Sequence, residues 1–152
     1  MKTVLFVCTG NTCRSPMAEA LFRLRIGDEL QWEACSAGIY AGAGSSASAN
    51  SIEAMHELGI DIGSHRSQPL TTELVQQADL IVTMTAGHRF EILQDFPAVG
   101  NRVFLIKSFG TSKVAADITD PFGGPLSIYK QTRDEIDQAL SDLILFIHTE
   151  ND

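Results

Sequence analysis

The chain has 152 residues, of which 44% are hydrophobic and 20% are charged, a balance that is ordinary for a globular protein. We expect residues 1–152 to form a single domain, since a chain of this length can bury a sizeable core. The formal net charge of −8 argues against nucleic acid as a partner, because binding to phosphates needs a basic surface. No stretch approaches the ~20 apolar residues of a membrane span, and the short apolar run at the N-terminus does not resemble a signal peptide.

The number and spacing of the cysteines indicate in which compartment the protein acts and whether it binds a metal ion. Cys8, Cys13 and Cys35 are too few for a disulfide framework, and their spacing shows neither a Cys-x-x-Cys pair nor a zinc-ligand pattern. We therefore expect a cytoplasmic protein that uses no metal ion or other cofactor. We also expect it to act as a monomer.

The most informative stretch covers residues 2–20, KTVLFVCTGNTCRSPMAEA. The apolar run 3–7 predicts a strand, which gives way to a short polar loop. Pro16 is favoured at the first position of a helix, Ser15 is able to cap it, and apolar residues follow at helical spacing. In a strand–loop–helix unit of this kind, backbone N–H groups point into one concavity, so the stretch predicts a site for an anion.

Cys8 and Arg14 stand at the two ends of this loop, with five residues between them. A cysteine among N–H donors and near a guanidinium favours the thiolate form, which is a nucleophile for phosphate, and Arg14 can hold two phosphoryl oxygens. Ser15 can donate its hydroxyl to the Cys8 sulfur, and Gly10 and Asn11 suit the positive φ angles of a tight curl. The alternative is a phosphate-binding loop with an incidental buried cysteine.

Predicted strands and helices alternate along the rest of the chain. The further strands are predicted at 32–35, 79–84 and 102–106, and the helices at 16–27, 50–59, 71–78, 85–96 and from 125 onward. This alternation predicts an α/β fold: a four-stranded parallel sheet with helices on both faces, and the phosphate-binding loop after the first strand.

The long irregular region 107–125 contains the candidates for a general acid. A leaving group departs more easily when it is protonated, and one carboxylic acid can donate that proton and later activate water. Asp120 is the preferred candidate because Pro121 and the following glycine pair can fix its position, and Asp117 is the second candidate. Without the Cys8 loop, the Asp-Pro pair would only indicate an ordinary turn.

The stretch VCTGNTCRSPMAEA resembles the signature of the low-molecular-weight protein-tyrosine-phosphatase family, and the likeness covers nearly the whole chain. The resemblance implies phosphorylated proteins as substrates, a phosphocysteine intermediate on Cys8 and a general acid at Asp120. It also implies that the residues of the loop bind the phosphate group, namely Thr9, Gly10, Asn11, Thr12, Cys13 and Ser15.

The resemblance implies supporting roles for residues outside the loop. Ser36 and His65 correspond to residues that hold the loop in shape, although His65 by itself could be an ordinary histidine at the edge of the core. Cys13 is implied as the partner of Cys8 in a reversible disulfide, the alternative being a small apolar filler. Tyr40, in the small-residue segment 39–47, is a candidate for the wall of the pocket.

Two positions depart from the tyrosine-specific members of that family. Thr12 stands where those members usually have isoleucine, and Phe122-Gly123 replaces a pair of aromatic residues, so a phenyl ring would lose apolar contacts. The combination of CTGNTCRS with DPFGG resembles the bacterial protein-arginine phosphatases of the same family. The sequence therefore favours phosphoarginine as substrate, with phosphotyrosine as the alternative.

Two further alternatives remain at this point. An arsenate reductase would share the fold and the loop, but such enzymes use additional downstream cysteines, and this chain has none after Cys35. A module that only binds phosphoproteins or senses oxidants would need no intact catalytic set, whereas Cys8, Arg14, Ser15 and Asp120 are all present.

Overall fold

The structure, a computed structural model, describes residues 1–28, 31–110 and 116–151. Its sheet contains β1 (Lys2–Cys8), β2 (Trp32–Gly38), β3 (Leu80–Thr83) and β4 (Val103–Leu105). All neighbours pair in parallel, and the strand order is β2-β1-β3-β4. The predicted α/β fold with a four-stranded parallel sheet is confirmed.

Five α-helices in the described residues cover the two faces of the sheet. They are α1 (Arg14–Ile26), α2 (Ala49–His56), α3 (Thr72–Gln77), α4 (Ala86–Asp95) and α5 (Leu126–Asn151). Two short 3-10 helices, Pro97–Arg102 and Ile106–Ser108, flank β4. No helix in the described part of the chain combines the length and apolarity needed to cross a bilayer.

The central strand β1 separates two hydrophobic clusters because its side chains alternate between the faces of the sheet. Val4 and Phe6 pack with apolar residues of α1, α2 and α5. Leu5 and Val7 pack with apolar residues of α3 and α4 on the other face. All four side chains are completely buried, as the continuous apolar run 3–7 predicts for a parallel strand with two covered faces.

Two predicted helix starts are wrong in detail. Helix α1 begins at Arg14 rather than Pro16, and Ser15 lies inside its first turn, where the hydroxyl points to Cys8 instead of capping the helix. Helix α2 begins at Ala49 rather than at residue 50, after Ser48, whose side chain accepts the Ser51 N–H. The Ser15 hydroxyl thus takes the second of its two predicted roles, and the cap of α2 lies two residues before the predicted start of that helix.

The topology places a crevice at the carboxyl end of the sheet. The chain leaves β1 into α1, which packs on one face, and leaves β3 into α4, which packs on the opposite face. Because β1 and β3 are adjacent, the loops that follow them diverge, and open parallel sheets bind ligands at such points. The phosphate loop predicted from the sequence lies at this crevice.

Candidate active site

The sulfur of Cys8 lies at the base of the loop and receives two hydrogen-bond donors. The Asn11 N–H donates to Cys8 Sγ at 3.3 Å, and Ser15 Oγ lies 2.9 Å from the same sulfur. Asn11 Nδ2 donates to Ser15 Oγ at 2.8 Å, so the Ser15 proton remains available to the sulfur. This arrangement stabilises negative charge on Sγ.

Asn11 fixes the shape of the loop through its side chain and its carbonyl group. It is completely buried and has a φ of 57°, a left-handed conformation that asparagine tolerates better than most residues. Its Nδ2 also donates to Ser36 Oγ at 3.0 Å, and its Oδ1 accepts the Gln68 N–H at 3.0 Å. Its carbonyl lies 2.7 Å from His65 Nε2, and because a carbonyl only accepts, that nitrogen carries a proton. Ser36 and His65 therefore both contact the loop through Asn11.

Of the two glycines near the loop, Gly38 is required because a side chain would not fit there, whereas Gly10 has no special backbone angle. Gly10 does not have a positive φ, so that expectation was wrong, and only Asn11 adopts the left-handed conformation in the loop. Gly38, at the end of β2, was not singled out from the sequence. A Cβ atom there would lie 2.6 Å from the Thr9 carbonyl oxygen and 2.9 Å from the Asn11 nitrogen. The loop can therefore approach β2 only because residue 38 has no side chain.

Arg14 connects the loop to the segment that carries the candidate acid. Its side chain is buried, Nη1 donates to the Ile118 carbonyl at 3.2 Å, and Nη2 lies 3.7 Å from Asp120 Oδ2. The Asp120 side chain is 58% exposed, and its Oδ1 accepts the Phe122 N–H at 3.1 Å. The guanidinium and the carboxylate thus face the same space, and the carboxylate remains open to solvent.

The second acid candidate, Asp117, has a different partner. Its Oδ1 accepts the Ala86 N–H at 2.8 Å, which is one of the unpaired donors at the start of α4. Asp117 does not line the cavity around Cys8. The geometry therefore favours Asp120 as the general acid. Asp117 instead attaches the segment around Asp120 to α4.

The cavity above Cys8 has a volume of about 210 Å³ and is lined by residues from the loop and from the acid segment, namely Cys8, Thr9, Gly10, Thr12, Cys13, Arg14, Asp120 and Phe122. Phe122 is 78% exposed at its edge. Tyr40 does not line the cavity, although its backbone N–H donates to the Thr9 carbonyl at 2.9 Å. The Tyr40 side chain is exposed near Glu91, which raises the pKa of Tyr40, so the structure gives no support to its predicted place in the wall.

The three cysteines are free thiols in different surroundings. Cys13 donates to Ser48 Oγ at 3.5 Å and lies 3.6 Å from the Tyr129 hydroxyl. Burial, with Glu19 nearby, raises the pKa of Cys35 to about 11, so this thiol stays protonated at neutral pH. Within the residues that the structure describes, no three His, Cys, Asp or Glu side chains are grouped in a way that would hold a metal ion.

His88 is a neighbour of the loop to which the sequence gave no role. It lies in the first turn of α4, is 7% exposed, and its Nε2 lies 2.9 Å from Thr9 Oγ1. Burial, with a further contribution from Arg14, lowers the pKa of His88 to about 4, so the ring is neutral at physiological pH. The sequence feature that could have identified His88 is its position shortly after the apolar strand 79–84, because that strand ends at the same edge of the sheet as β1.

A cysteine thiol held by N–H and O–H donors at the end of β1, with an arginine and a carboxylate across one cavity, defines a cysteine-dependent phosphatase. The family model described as "Low molecular weight phosphotyrosine protein phosphatase" matches residues 3–151. The chain belongs to this family.

Individual relatives agree with this assignment. The chain is 44% identical to the protein-arginine-phosphatase of Bacillus subtilis over 92% of this chain and 93% of that protein. It is 40% identical to the solved YwlE arginine phosphatase of Geobacillus stearothermophilus, with a TM-score of 0.90 over 99% of this chain and 95% of that one. A solved low molecular weight protein tyrosine phosphatase from T. tengcongensis is also 40% identical, with a TM-score of 0.89 over 95% and 98% of the two chains.

Proposed function

We propose that this protein removes phosphate from phosphoarginine residues of proteins through a phosphocysteine on Cys8. The observation that carries the proposal is the position of Cys8 Sγ, which faces a cavity lined by both Arg14 and Asp120 and receives donors from Asn11 and Ser15. The site of action is proposed to be the cytoplasm, and no cofactor takes part.

The first chemical step forms the bond between Cys8 Sγ and phosphorus. Arg14 and the N–H groups of the loop hold the phosphoryl oxygens, while the bond from phosphorus to the guanidinium nitrogen breaks. Asp120, in its protonated form, gives its proton to the departing nitrogen, so free arginine side chain leaves. Ser15 and Asn11 lower the energy of the thiolate that attacks.

The second step hydrolyses the phosphocysteine. Asp120, now ionised, removes a proton from a water molecule, and the water oxygen forms a bond to phosphorus as the bond to Cys8 Sγ breaks. Inorganic phosphate is released and the thiolate is regenerated. Asp120 is thus proton donor in one step and acceptor in the other.

Three residues at the cavity support arginine over tyrosine as the side chain that is dephosphorylated. Thr12 contributes a polar wall, Phe122 offers a single aromatic surface, and the exposed carboxylate of Asp120 can face the cationic nitrogens of a phosphoguanidinium group. A phosphotyrosine ring would meet a single aromatic side chain, Phe122, among the residues that line the cavity. The relatives named protein-arginine-phosphatase support the same choice.

The alternative substrate is phosphotyrosine, which the description of the family and the relative from T. tengcongensis favour. The two substrates are distinguished by kcat/KM on matched phosphoarginine and phosphotyrosine peptides for the wild type, Thr12→Ile and Thr12→Val. Thr12→Val keeps the shape of the side chain and removes the hydroxyl, whereas Thr12→Ile also enlarges it.

We expect the wild type to prefer phosphoarginine and Thr12→Ile to lose or reverse that preference. If Thr12→Val behaves like the wild type, the size of residue 12 sets the preference; if it behaves like Thr12→Ile, polarity does. A wild type that prefers phosphotyrosine contradicts the arginine proposal. Absence of turnover on both peptides and on an activated aryl phosphate contradicts the phosphatase proposal and favours a binding or redox-sensing module.

The predicted pairing of Cys8 with Cys13 remains a proposal about regulation. Both thiols line the same cavity, and the thiol of Cys35 is protonated and bonded to the Val4 carbonyl on the sheet. Peroxide treatment followed by peptide mass spectrometry tests the pairing. A Cys8–Cys13 bridge that a thiol reductant reverses supports it, and overoxidation of Cys8 without a bridge contradicts it.

A further inference from the structure

Thr9 is the only described loop residue whose side chain bonds to α4, and its partner there is buried. His88 is buried, with 7% of the residue exposed, whereas Thr9 is exposed and lines the cavity. The two residues are 79 positions apart in the chain, and the bond between them measures 2.9 Å. It links the phosphate loop to a helix on the opposite face of the sheet from α1.

The direction of this hydrogen bond follows from the other ring nitrogen. His88 Nδ1 is buried and has no hydrogen-bond partner among the described residues. A proton on Nδ1 would be a buried N–H without an acceptor, and such orphaned donors are rarer in proteins than unpaired acceptors. The ring is neutral, so it carries one proton, and that proton belongs on Nε2.

The direction of the bond determines what Thr9 can do. If Nε2–H donates to Thr9 Oγ1, the oxygen acts as acceptor and the hydroxyl proton is free to point elsewhere. Thr9 lines the cavity above Cys8, where a phosphoryl group would enter. The free proton is then an additional donor for the phosphoryl oxygens, besides the N–H groups and Arg14.

We infer that His88 is a positioning residue of the active site, which donates from Nε2–H to Thr9 Oγ1 and so directs the Thr9 hydroxyl proton into the phosphate cavity. This inference rests on the proposed function, because it assigns a role within the same site. It predicts that His88 and Thr9 act as one unit in binding the phosphoryl group. It also predicts that the neutral ring of His88 contributes to phosphate binding only through the proton on Nε2.

The test uses four single variants and one double variant. His88→Leu and Thr9→Val remove one side of the bond each, and His88→Gln and Thr9→Ser keep a donor and a hydroxyl near the same places. The double variant combines His88→Leu with Thr9→Val. The matched control is His148→Leu, since His148 is exposed on α5.

Two readouts are measured for every variant. The first is kcat/KM and its separate kcat and KM values on a phosphoarginine peptide. The second is the concentration of inorganic phosphate that half-protects Cys8 from alkylation by iodoacetamide, followed at the Cys8 peptide by mass spectrometry. The second readout needs no turnover, so it remains informative if the substrate has been assigned wrongly.

We expect His88→Leu and Thr9→Val each to lose roughly tenfold in kcat/KM and in phosphate protection, as removal of one hydrogen bond to a charged group implies. The double variant should lose no more than either single variant, because the two residues form one unit. His88→Gln and Thr9→Ser should restore most of the loss. The His148→Leu control should match the wild type.

Two results would overturn the inference. One is unchanged phosphate protection in Thr9→Val, which also decides the matter if His88→Leu fails to fold. Another is a double variant whose loss of phosphate protection equals the product of the two single losses, because His88 and Thr9 would then act independently. Failure of the proposed function looks different: the wild type would not turn over phosphopeptides, while the dependence of phosphate protection on both residues would persist.

Discussion

The loop after β1 and the segment around Asp120 face each other across one cavity, but the protein holds them in different ways. Asn11 and Ser15 are completely buried, and Asn11 by itself bonds to residues of β1, of β2 and of the segment between α2 and α3. Asp120 and Phe122 are mostly exposed. In the proposed mechanism, the buried loop fixes the nucleophile for any phosphorylated substrate, whereas the exposed segment meets the leaving group, which differs between substrates.

This difference explains how one fold can serve two substrate classes. A change in the buried loop disturbs several hydrogen bonds at once, since a partly satisfied buried network is costly. A change in the exposed segment alters the contacts of a substrate without unfolding the protein. We therefore expect variants of the buried loop residues, such as Asn11 and Ser15, to affect all substrates. Variants of side chains that line the cavity beside the leaving group, such as Thr12 and Phe122, should affect substrates selectively.

The largest effect is expected for Cys8→Ser. A serine hydroxyl is a much weaker nucleophile than a thiolate in this cradle, and we expect loss of activity on the order of 10⁴-fold or more on every substrate. Steady-state release of inorganic phosphate is the measurement, with thermal unfolding as the control for folding. Turnover within tenfold of the wild type would show that another group performs the chemistry.

The next effect is expected for Asp120→Asn, which removes the proton donor and retains the shape of the side chain. We expect kcat to fall by about 10²–10⁴-fold for substrates that need protonation of the leaving group. An aryl phosphate with a very acidic leaving group should lose less in the first step. The matched control is Asp117→Asn, because Asp117 bonds to Ala86 outside the cavity. Equal losses in both variants would contradict the assignment of the acid.

Gly38→Ala tests how tightly the buried loop is held. The new methyl group would lie 2.6 Å from the Thr9 carbonyl oxygen, so the loop must move. We expect a loss of about 1–3 kcal/mol in the free energy of unfolding, as for other overpacked sites, together with lower kcat/KM on all substrates. Gly42→Ala is the control, since a Cβ atom there meets nothing within 4 Å. A loss of kcat/KM on one substrate alone would contradict the expectation that changes in the buried loop affect all substrates.

The pH dependence of stability tests the burial of His88 behind the loop. The unfolded chain binds a proton at His88 near its ordinary pKa of 6.5, whereas the folded protein binds it only near pH 4. The free energy of unfolding therefore falls as the pH drops from 6.5 to 4, by up to about 2 kcal/mol from this residue once solvent screening is considered.

Urea unfolding of the wild type and His88→Gln at pH 7, 5.5 and 4 measures this contribution. The ring is faced by Arg14, Glu91, Asp117 and Asp120, and both proteins retain these groups. The advantage of the wild type over the variant should therefore shrink as the pH falls. A constant difference across the range would mean that the ring is not held neutral.

The smallest effect on stability is expected for Phe122→Ala, in the exposed segment. Because the ring is 78% exposed, we expect the free energy of unfolding to change by no more than about 0.5 kcal/mol. The KM for phosphopeptides should rise by roughly tenfold or less, since one apolar contact is lost. Peptide kinetics and urea unfolding together check this. A marked loss of stability with unchanged KM would contradict the division between the two regions.

Patterns of residues close together in the chain were enough to predict much of the fold and part of the candidate site. The apolar run 3–7, the loop with Cys8 and Arg14 and the helix after it follow from local patterns, because strands, tight loops and helix starts depend on neighbouring residues. The alternation of strands and helices fixed the parallel sheet for the same reason. The Asp-Pro pair at Asp120 was also visible, since turn residues have strong local preferences.

Only the tertiary structure decided which polar groups meet. Of the two roles predicted for Ser15, the structure shows the contact with Cys8 and not the helix cap. Gln68 and Gly38 shape the loop and His88 contacts Thr9, and none of these three roles was predicted. Asp117 remained a second candidate for the acid until the structure showed that it bonds to α4, whereas Asp120 faces Arg14. Hydrophobic periodicity reports which face of an element is buried. The hydrogen-bond partner of a buried polar side chain depends on how distant elements pack, and no local pattern encodes that.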